Sequence, residues 1–172
     1  MNGYSFIAPT KVLFGAGKLG ELGAQKLPGI KALIVTTGGN SVKRFGYLGR
    51  LEAELDRAGV AHELFDRIEP NPLRETVNAG GWMARAHGCD FVLALGGGSV
   101  MDGSKGICAV AANPHTDAEG NECPGDIWDF VNGGTALGLP IPNDPLPLVC
   151  VTTTAGTGSE VDAGGVLSCE DN

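Results

Sequence analysis

The segment FVLALGGGSV, residues 91–100, decides the fold because an uninterrupted apolar run leads directly into three glycines. The apolar run at 91–95 is typical of a short strand that is buried on both faces of a parallel sheet. The glycines at 96–98 let the backbone approach a ligand that any Cβ atom would exclude. A helical pattern follows over about residues 100–112. The segment therefore predicts a buried strand, a glycine loop and a helix in direct succession.

The same order of strand, loop and helix recurs on both sides of this segment. Residues 31–36 form a β-branched apolar run, residues 38–41 form a glycine loop, and leucines at helical spacing occupy 42–58. Further strands are predicted at 61–65, 147–152 and 165–168, and further helices at 18–26 and 73–87. This alternation predicts an α/β fold with a Rossmann-like parallel sheet and helices on both of its faces. Short strand candidates at 4–7 and 11–14 predict an additional β-hairpin at the N-terminus.

Glycine is unusually frequent, at 28 of 172 residues, and the pattern places it mainly in loops that follow predicted strands. Three such loops lie at 38–41, 96–99 and 156–158. Right-handed crossovers bring the carboxyl ends of parallel strands to one edge of the sheet, so we expect the three loops to meet there. Ligands of open α/β sheets bind at that edge. The sequence therefore predicts a binding site that is formed by these loops.

Two of the loops offer donors for an anionic or hydroxyl-rich ligand. The N–H groups of residues 96–99, followed at once by a helix N-terminus, suit a pyrophosphate. This stretch is neither G-x-G-x-x-G nor a P-loop, and the same glycines would also serve a tight turn that binds nothing. The segment TTTAGTGSE at 152–160 adds five hydroxyl groups that could hold sugar, amide or phosphate oxygens. Threonine also suits strands for purely structural reasons, so that alternative stays open here.

The loop at the end of the strand predicted at 31–36 bears on the choice of nucleotide. In dinucleotide-binding folds an acidic residue at this position binds the ribose 2′-hydroxyl. Here the chain carries TTGGNS at 36–41, with Lys43 and Arg44 just beyond. Small donors beside two cations favour a 2′-phosphate, so NADP is predicted in preference to NAD. The two cations could equally form a solvated helix face.

Charge, hydropathy and cysteine spacing exclude several classes of function. Twelve basic residues against 20 acidic ones give a net charge of −8, which argues against nucleic acid or a membrane surface as the main partner. No apolar run approaches the roughly 20 residues of a membrane span, and the N-terminus carries no signal-peptide pattern. Five cysteines lie 15 or more residues apart without a C-x-x-C pair, which predicts reduced thiols and a cytoplasmic protein.

The sequence assigns neither a catalytic residue nor a metal ligand to this chain. His62, His87 and His115 are far apart and follow no metal-ligand spacing with each other or with the cysteines. No arrangement of a nucleophile with a neighbouring base stands out either. The chemistry that the sequence predicts is therefore confined to nucleotide binding.

Three motifs resemble the iron-containing, or group III, alcohol dehydrogenases: EPNP (69–72), GGGSVMDGSK (96–105) and TTAGTGSEV (153–161). The opening YSFIAPTKVLFGAG (4–17) is similar to the N-terminal hairpin of that family. The fold that the resemblance implies is the dehydroquinate synthase-like N-terminal domain. The segment GGNSVKRFG (38–46) is similar to the butanol dehydrogenase and aldehyde reductase branch, which prefers NADPH.

The resemblance also implies which residues contact the cofactor. The pyrophosphate and the neighbouring ribose would contact Gly97, Gly98, Ser99, Val100 and Asp102. The other phosphate contacts and the nicotinamide end would involve Thr153, Thr154 and Thr157. The adenosine end and its 2′-phosphate would contact Thr37, Gly38, Gly39 and Ser41, with Thr37 replacing the Asp of NAD-using members. Asn71 would lie beside the cofactor, as would Asp162, which stands where members often have Thr or Asn.

Family members are much longer than this chain, and their second, helical domain supplies the metal ligands. The resemblance therefore implies that residues 1–172 are a nucleotide-binding domain without the C-terminal helical metal-binding domain. Fe²⁺ or Zn²⁺ is expected only with that domain, as is turnover of a small alcohol or aldehyde, and the full-length enzyme is expected to be a homo-oligomer. Two alternatives are a stand-alone nucleotide-binding module without catalysis and the related glycerol or polyol dehydrogenase branch.

Overall fold

A computed structural model describes residue 3 and residues 8–170. Its strands and α-helices are, in chain order, β1 (Lys31–Thr37), α1 (Ser41–Arg44), α2 (Tyr47–Arg57), β2 (Ala61–Ile68), α3 (Arg74–Ala86), β3 (Phe91–Gly96), α4 (Gly98–Ala112), β4 (His115–Thr116), β5 (Glu122–Cys123) and β6 (Leu148–Thr152). Short 3₁₀ helices cover Lys18–Ala24, Ile127–Asp129 and Ser159–Val161. No helix of the described part is long and apolar enough to cross a membrane.

Four parallel strands form the central sheet in the order β2-β1-β3-β6. β3 is buried at every position, and so are the five central residues of β1, as their apolar composition predicts for strands that are covered on both faces. Helices α3 and α4 pack on one face of the sheet, and α2 with the Lys18–Ala24 helix packs on the other. The predicted α/β fold with helices on both faces is confirmed.

Helices α3 and α4 approach each other closely because glycines form part of their contact. A Cβ atom on Gly80 would lie 2.5 Å from Cδ1 of Ile107, and one on Gly81 would lie 2.5 Å from Cγ1 of Val110. Both glycines are buried inside α3. The expectation that glycine serves mainly in loops is therefore incomplete, since these residues allow two helices to pack at short distance.

Two strands predicted from the sequence are absent from the described residues. Of the predicted hairpin, residues 4–7 lie outside the described part, and residues 11–14 form no strand. Phe14 is 94% exposed, so little of the described chain packs against it, and a two-stranded ribbon is marginal without such packing. Residues 165–168 form only one isolated bridge, between Ser168 and Leu73.

Several predicted helix boundaries also differ from the structure. The helix expected over 42–58 is divided into α1 and α2, because Gly46 adopts a left-handed backbone with φ of 71°. The helix expected over 18–26 is a 3₁₀ helix that ends at Ala24. α4 begins at Gly98, inside the glycine loop, so the last glycine of GGG is already helical. This earlier start brings the helix N-terminus to the sheet edge itself.

A clamp of polar side chains joins α3 to the start of the 3₁₀ helix Ile127–Asp129. The guanidinium of Arg74 forms an ion pair with the carboxylate of Asp126, and its Nε lies 3.0 Å from Oδ1. The same Oδ1 accepts hydrogen bonds from Nδ2 of Asn78 at 2.9 Å and from the backbone N–H of Trp128 at 3.0 Å. These donors lower the pKa of Asp126 to about 2, the Arg74 hydrogen bonds contributing most. The clamp therefore stabilises the fold with Asp126 ionised.

We expect Asp126→Ala to lower the free energy of unfolding by about 2 kcal/mol, because it leaves Arg74 and Asn78 without their acceptor. For a chain of this size the melting temperature should fall by about 4–8 °C near neutral pH. The folded pKa lies below the unfolded value of roughly 3.9, so the contribution is present above pH 4 and is lost as pH falls towards 2. The difference between wild type and variant should therefore shrink over that window, and a difference that is constant with pH would contradict the assignment.

Candidate functional site

A cleft lies at the carboxyl ends of the strands, where the sequence predicts that the loops meet. Its cavity of about 230 Å³ is bordered by Thr37 at the end of β1, residues 68–70 after β2, residues 97–100 after β3 and Thr154 after β6. Loops after all four parallel strands therefore contribute to a single site. The three glycine loops follow parallel strands at one sheet edge, as predicted, but only the loop at 96–99 lines the cleft with its own residues. The other two are represented by Thr37 and Thr154, which precede the loops at 38–41 and 156–158.

The glycine loop and the loop after β6 are in direct contact. A Cβ atom on Gly97 would lie 3.2 Å from Oγ1 of Thr154, and a Cβ atom on Gly98 would lie 3.0 Å from Cγ2 of Thr157. The backbone N–H of Thr153 donates to the carbonyl of Gly96 at 2.9 Å, which fixes the second loop to the first. Gly97 and Gly98 thus form the floor of the cleft, and a side chain at either position would press on the loop after β6.

The N-terminus of α4 points its first N–H groups towards this cleft. Gly97 has an extended backbone as the N-cap, and no side chain caps the helix. The N–H groups of the first helical turn have no partner within the helix and carry its positive dipole end. An uncapped helix end beside a glycine floor is a site that accepts phosphate oxygens.

Glu69 adds an acceptor to the wall of the cleft. Its Oε1 accepts a hydrogen bond from the hydroxyl of Thr76 at 2.8 Å, whereas its buried Oε2 has no partner within the described residues. An ionised carboxylate can only accept hydrogen bonds, so this oxygen suits a hydroxyl donor such as that of a ribose. Glu69 lies in the EPNP motif, but we did not predict its role from the sequence.

Asn71 lies beside the cleft rather than in its lining. Its φ of 57° is the only positive value at a non-glycine position in the described residues. Asn tolerates this left-handed conformation better than most residues. It therefore turns the EPNP loop at the edge of the cleft, with an exposed side chain.

Asp102 lies one turn along α4, where its carboxylate is already engaged. It accepts hydrogen bonds from the Ser159 hydroxyl at 2.6 Å and from the Val166 N–H at 3.1 Å. Lys105 donates to the same hydroxyl at 2.9 Å and also bonds the carbonyl of Gly164. These contacts hold residues 159–166 against α4. The structure thus places Asp102 outside the lining of the cleft, where it helps Lys105 and Ser159 to hold the segment that follows the 3₁₀ helix Ser159–Val161.

Asp162 also lies away from the cleft. Its Oδ1 accepts a hydrogen bond from the Gly164 N–H at 2.6 Å, and its side chain is exposed. It borders a larger trough of about 1360 Å³ between the edge strand β6 and residues 9–28. Thr153 lines the same trough, and Thr154 lines both the trough and the cleft. The two cavities therefore adjoin at Thr154.

At the end of β1, the predicted residues form the exposed rim of the cleft. The N–H of Gly39 donates to the hydroxyl of Thr37 at 3.2 Å, which shapes the loop. Gly38, Gly39 and Ser41 are all exposed. Lys43, two residues beyond Ser41, forms an ion pair with Asp66 of β2. No local sequence pattern pairs residues that lie 23 positions apart on different elements.

Metal ligands do not come together in this part of the protein. Across residues 8–170 no group of three or more His, Cys, Asp or Glu side chains could hold a metal ion. The nearest acidic neighbours of His62, His87 and His115 are Asp56, Glu63 and Asp129, respectively. These residues therefore do not fit a catalytic metal, and no chemical step can be assigned to one here.

The two thiols that line the trough, Cys108 and Cys150, are held in their protonated form. All five cysteines are free, and Cys89 and Cys108 are buried. Burial raises the pKa of Cys150, on β6 beside the trough, to about 11, and it raises the pKa of Cys108 as well. Both thiols are therefore protonated near neutral pH, and the thiolate is the reactive form.

The sequence profile of the iron-containing alcohol dehydrogenases matches residues 9–172. The chain belongs to this family. The resemblance drawn from EPNP, GGGSVMDGSK and TTAGTGSEV is thereby confirmed. Within the family, the chain is 37% identical over 169 residues to the probable NADH-dependent butanol dehydrogenase 1 of Bacillus subtilis (strain 168), covering 98% of this chain and 40% of that protein.

Other members of the iron-containing alcohol dehydrogenase family are as similar. The NADPH-dependent aldehyde reductase YqhD of Escherichia coli (strain K12) is 37% identical over 169 residues, which are 98% of this chain and 40% of YqhD. The crystal structure of the archaeal halo-thermophilic Red Sea brine pool alcohol dehydrogenase ADH/D1 matches with a TM-score of 0.86 and 36% identity, covering 99% of this chain and 41% of that chain. The chain thus spans about 40% of the length of these relatives.

Proposed function

We propose that this chain is the nucleotide-binding domain of an NAD(P)-dependent, metal-dependent alcohol dehydrogenase that interconverts an alcohol and an aldehyde or ketone. The observation that carries the proposal is the uncapped N-terminus of α4 above a floor in which Gly97 and Gly98 leave room that a Cβ atom would fill. Membership of the iron-containing alcohol dehydrogenase family supports the same cofactor class.

The groups along the cleft follow the same order as the parts of a dinucleotide that they would bind. The N–H groups of residues 98–100 would hold the pyrophosphate, with the hydroxyls of Thr154 and Thr157 at its side. The open carboxylate oxygen of Glu69 would accept a ribose hydroxyl, and Thr37 with the loop at 38–41 would meet the adenosine end. Asp102 would act at a distance, because it holds residues 159–166 in place rather than reaching the cleft.

The nicotinamide end would extend past Thr154 into the trough beside β6. Thr154 lines both cavities, so a ligand that is anchored at the glycine loop can continue into the larger space. When bound there, the oxidised cofactor would accept a hydride from the alcohol carbon, and the reduced cofactor would donate one to the carbonyl carbon. The residues of this chain bind and orient it, with Thr153 and Asp162 as the polar groups at that end.

We assign the metal centre to residues outside these 172, because the described residues hold no ligand set and the relatives are much longer. Fe²⁺ or Zn²⁺ would polarise the substrate oxygen as a Lewis acid. Small donors at 37–41, with Lys43 and Arg44 beyond them, suit NADP, and NAD, which lacks the 2′-phosphate, fits the same donors.

The proposal predicts binding without turnover for the 172-residue chain. Titration of NADPH should enhance and shift the fluorescence of the reduced nicotinamide with saturation in the micromolar range, which is typical of cofactor affinities. Oxidation of 1-butanol with NADP and added Fe²⁺ or Zn²⁺ should stay at the background rate. A folded sample that binds neither NADPH nor NADH would overturn the proposal, and turnover at an ordinary enzymatic rate would overturn the assignment of the metal centre.

A further inference from the structure

The strand β2 carries an irregularity next to the adenosine end of the cleft. Val35 of β1 pairs with Phe65, but Thr37 pairs with Ile68, so three steps along β2 face two steps along β1. Such a β-bulge inserts one extra residue and re-aims the side chains around it. The extra length lies at Asp66 and Arg67. A Cβ atom on Gly38 would lie 3.3 Å from the carbonyl oxygen of Asp66, so the bulge adjoins the glycine loop of β1.

At this position Asp66 meets the lysine that follows the loop. The Nζ of Lys43 lies 2.5 Å from Oδ2 of Asp66, and the two side chains are 42% and 36% exposed. The hydrogen bond from Lys43 holds the pKa of Asp66 below its ordinary value, so the carboxylate is ionised near neutral pH. The cation that would attract a phosphate is therefore already paired with an anion.

The neighbouring arginines have other contacts. The guanidinium of Arg44 lies 6.0 Å from the ring centre of Phe45, and that of Arg67 lies 5.6 Å from the ring centre of Phe65. Both are within the range of a cation–π contact. Lys43 is thus the cation whose charge is most directly tied to the loop at 38–41, and Asp66 is the group that controls it.

We infer that Asp66 is a specificity-determining residue that lowers the preference of the adenosine site for a 2′-phosphate by neutralising Lys43. The inference rests on the proposed function, because it requires the adenosine end of the cofactor to lie at the loop after β1. The hydroxyl of Thr37 and the N–H groups of the loop can donate to a 2′-hydroxyl or to a 2′-phosphate. The Lys43–Asp66 pair therefore determines the difference in affinity between the two cofactors.

Asp66 changes the charge balance on which the predicted preference for NADP depends. Lys43 and Arg44 alone favour NADP, whereas the carboxylate from β2 cancels one of these charges. We therefore expect the wild-type chain to accept both NADH and NADPH with a modest difference in affinity. A relative named for NADH and another named for NADPH are equally similar to this chain, so overall identity does not decide the matter.

The test uses two probes that differ only in the 2′-phosphate: 5′-AMP and adenosine 2′,5′-bisphosphate. Their dissociation constants are measured by calorimetry on the 172-residue chain at low salt, for wild type and Asp66→Asn. The variant should raise the affinity ratio in favour of the bisphosphate by about tenfold, because Lys43 becomes free to pair with the phosphate. The gain should shrink in 1 M salt, where the screening length is about 3 Å.

Glu63→Gln is the matched control, since it removes the same charge from the same strand. Glu63 pairs with Lys31 at 3.1 Å, at the other end of β2. Its ratio should stay within about twofold of wild type, because Glu63 is paired with Lys31 and His87 rather than with Lys43. Lys43→Gln should move the ratio in the opposite direction from Asp66→Asn, because Asp66 then faces the phosphate unpaired.

The outcomes separate this inference from the proposed function. If wild type binds both probes and Asp66→Asn leaves the ratio unchanged, the inference is wrong while the cleft remains a nucleotide site. If a folded wild-type chain binds neither probe, nor NADH or NADPH, the proposed function fails and the inference fails with it. Asp66→Ser provides a second variant, and a folding check by circular dichroism accompanies each protein.

Discussion

A valine in place of Gly98 should abolish measurable nucleotide binding while the chain stays folded. The new Cβ atom would lie 3.0 Å from Cγ2 of Thr157, and the branched side chain would occupy the floor of the cleft. Phosphate oxygens would then lose contact with the N–H groups of the first turn of α4. Each hydrogen bond to a charged group contributes about 1.5–3 kcal/mol. Loss of one or two of these hydrogen bonds should therefore raise the dissociation constant by about 100-fold.

The measurement is NADPH binding followed by fluorescence, with Gly49→Val as the matched control. Gly49 lies inside α2, and a Cβ atom there would meet nothing within 4 Å. The control therefore makes the same chemical change in a helix without entering the cleft, and its affinity should equal that of wild type. If Gly98→Val binds NADPH as tightly as Gly49→Val, the pyrophosphate does not lie at this loop and the proposed orientation of the cofactor is wrong.

The strand, loop and helix from 91 to 112 could be predicted because every signal in it is local. Apolar residues at 91–95 require burial on both faces, and the glycines mark the end of the strand without reference to any other part of the chain. The topology of the sheet then follows from handedness rules that apply to any parallel arrangement. For this reason the cleft, including the meeting of Gly97 with Thr154, could also be expected from the sequence.

The features that the sequence did not reveal share a dependence on distant partners. A strand needs a neighbouring edge. In the described part of the chain residues 11–14 pair with no strand and residues 165–168 form only the bridge to Leu73, although their composition suits strands. Asp102 matches a cofactor-contacting motif, yet its carboxylate is engaged by Ser159 and Val166, which lie 57 and 64 positions away. The Lys43–Asp66 pair depends on a bulge in β2 that no periodicity reveals. Such contacts are decided by tertiary packing alone.

The glycines include residues whose role could be predicted from the sequence and residues whose role could not. The excess of glycine indicated ligand-binding loops, and for residues 96–98 that interpretation agrees with the cleft. Gly80 and Gly81, by contrast, lie within a helical pattern, where glycine costs about 1 kcal/mol relative to alanine. The structure explains why glycine occurs there despite this cost, because both residues are buried against α4. Some of the glycines therefore serve helix packing rather than ligand binding.

Gly81→Val should be strongly destabilising, because its Cβ atom would lie 2.5 Å from Cγ1 of Val110 and 3.2 Å from the backbone nitrogen of Ala111. A backbone atom cannot rotate away, so the two helices must separate. Overpacking of this kind costs about 3 kcal/mol, which corresponds to a melting temperature lower by about 6–12 °C for a chain of this length. Thermal unfolding followed by circular dichroism measures the shift.

The same control, Gly49→Val, distinguishes packing from helix propensity. It should leave the melting temperature within about 2 °C of wild type, because valine at an open helical position is no worse than glycine. Adding Val110→Ala to Gly81→Val removes the methyl groups that the new side chain would meet, so the double variant should be more stable than the sum of the single effects predicts. Strict additivity would show that α3 and α4 do not touch at Gly81. Because α4 carries the N-terminus that forms the cleft, the close packing of these helices also fixes the position of the nucleotide site.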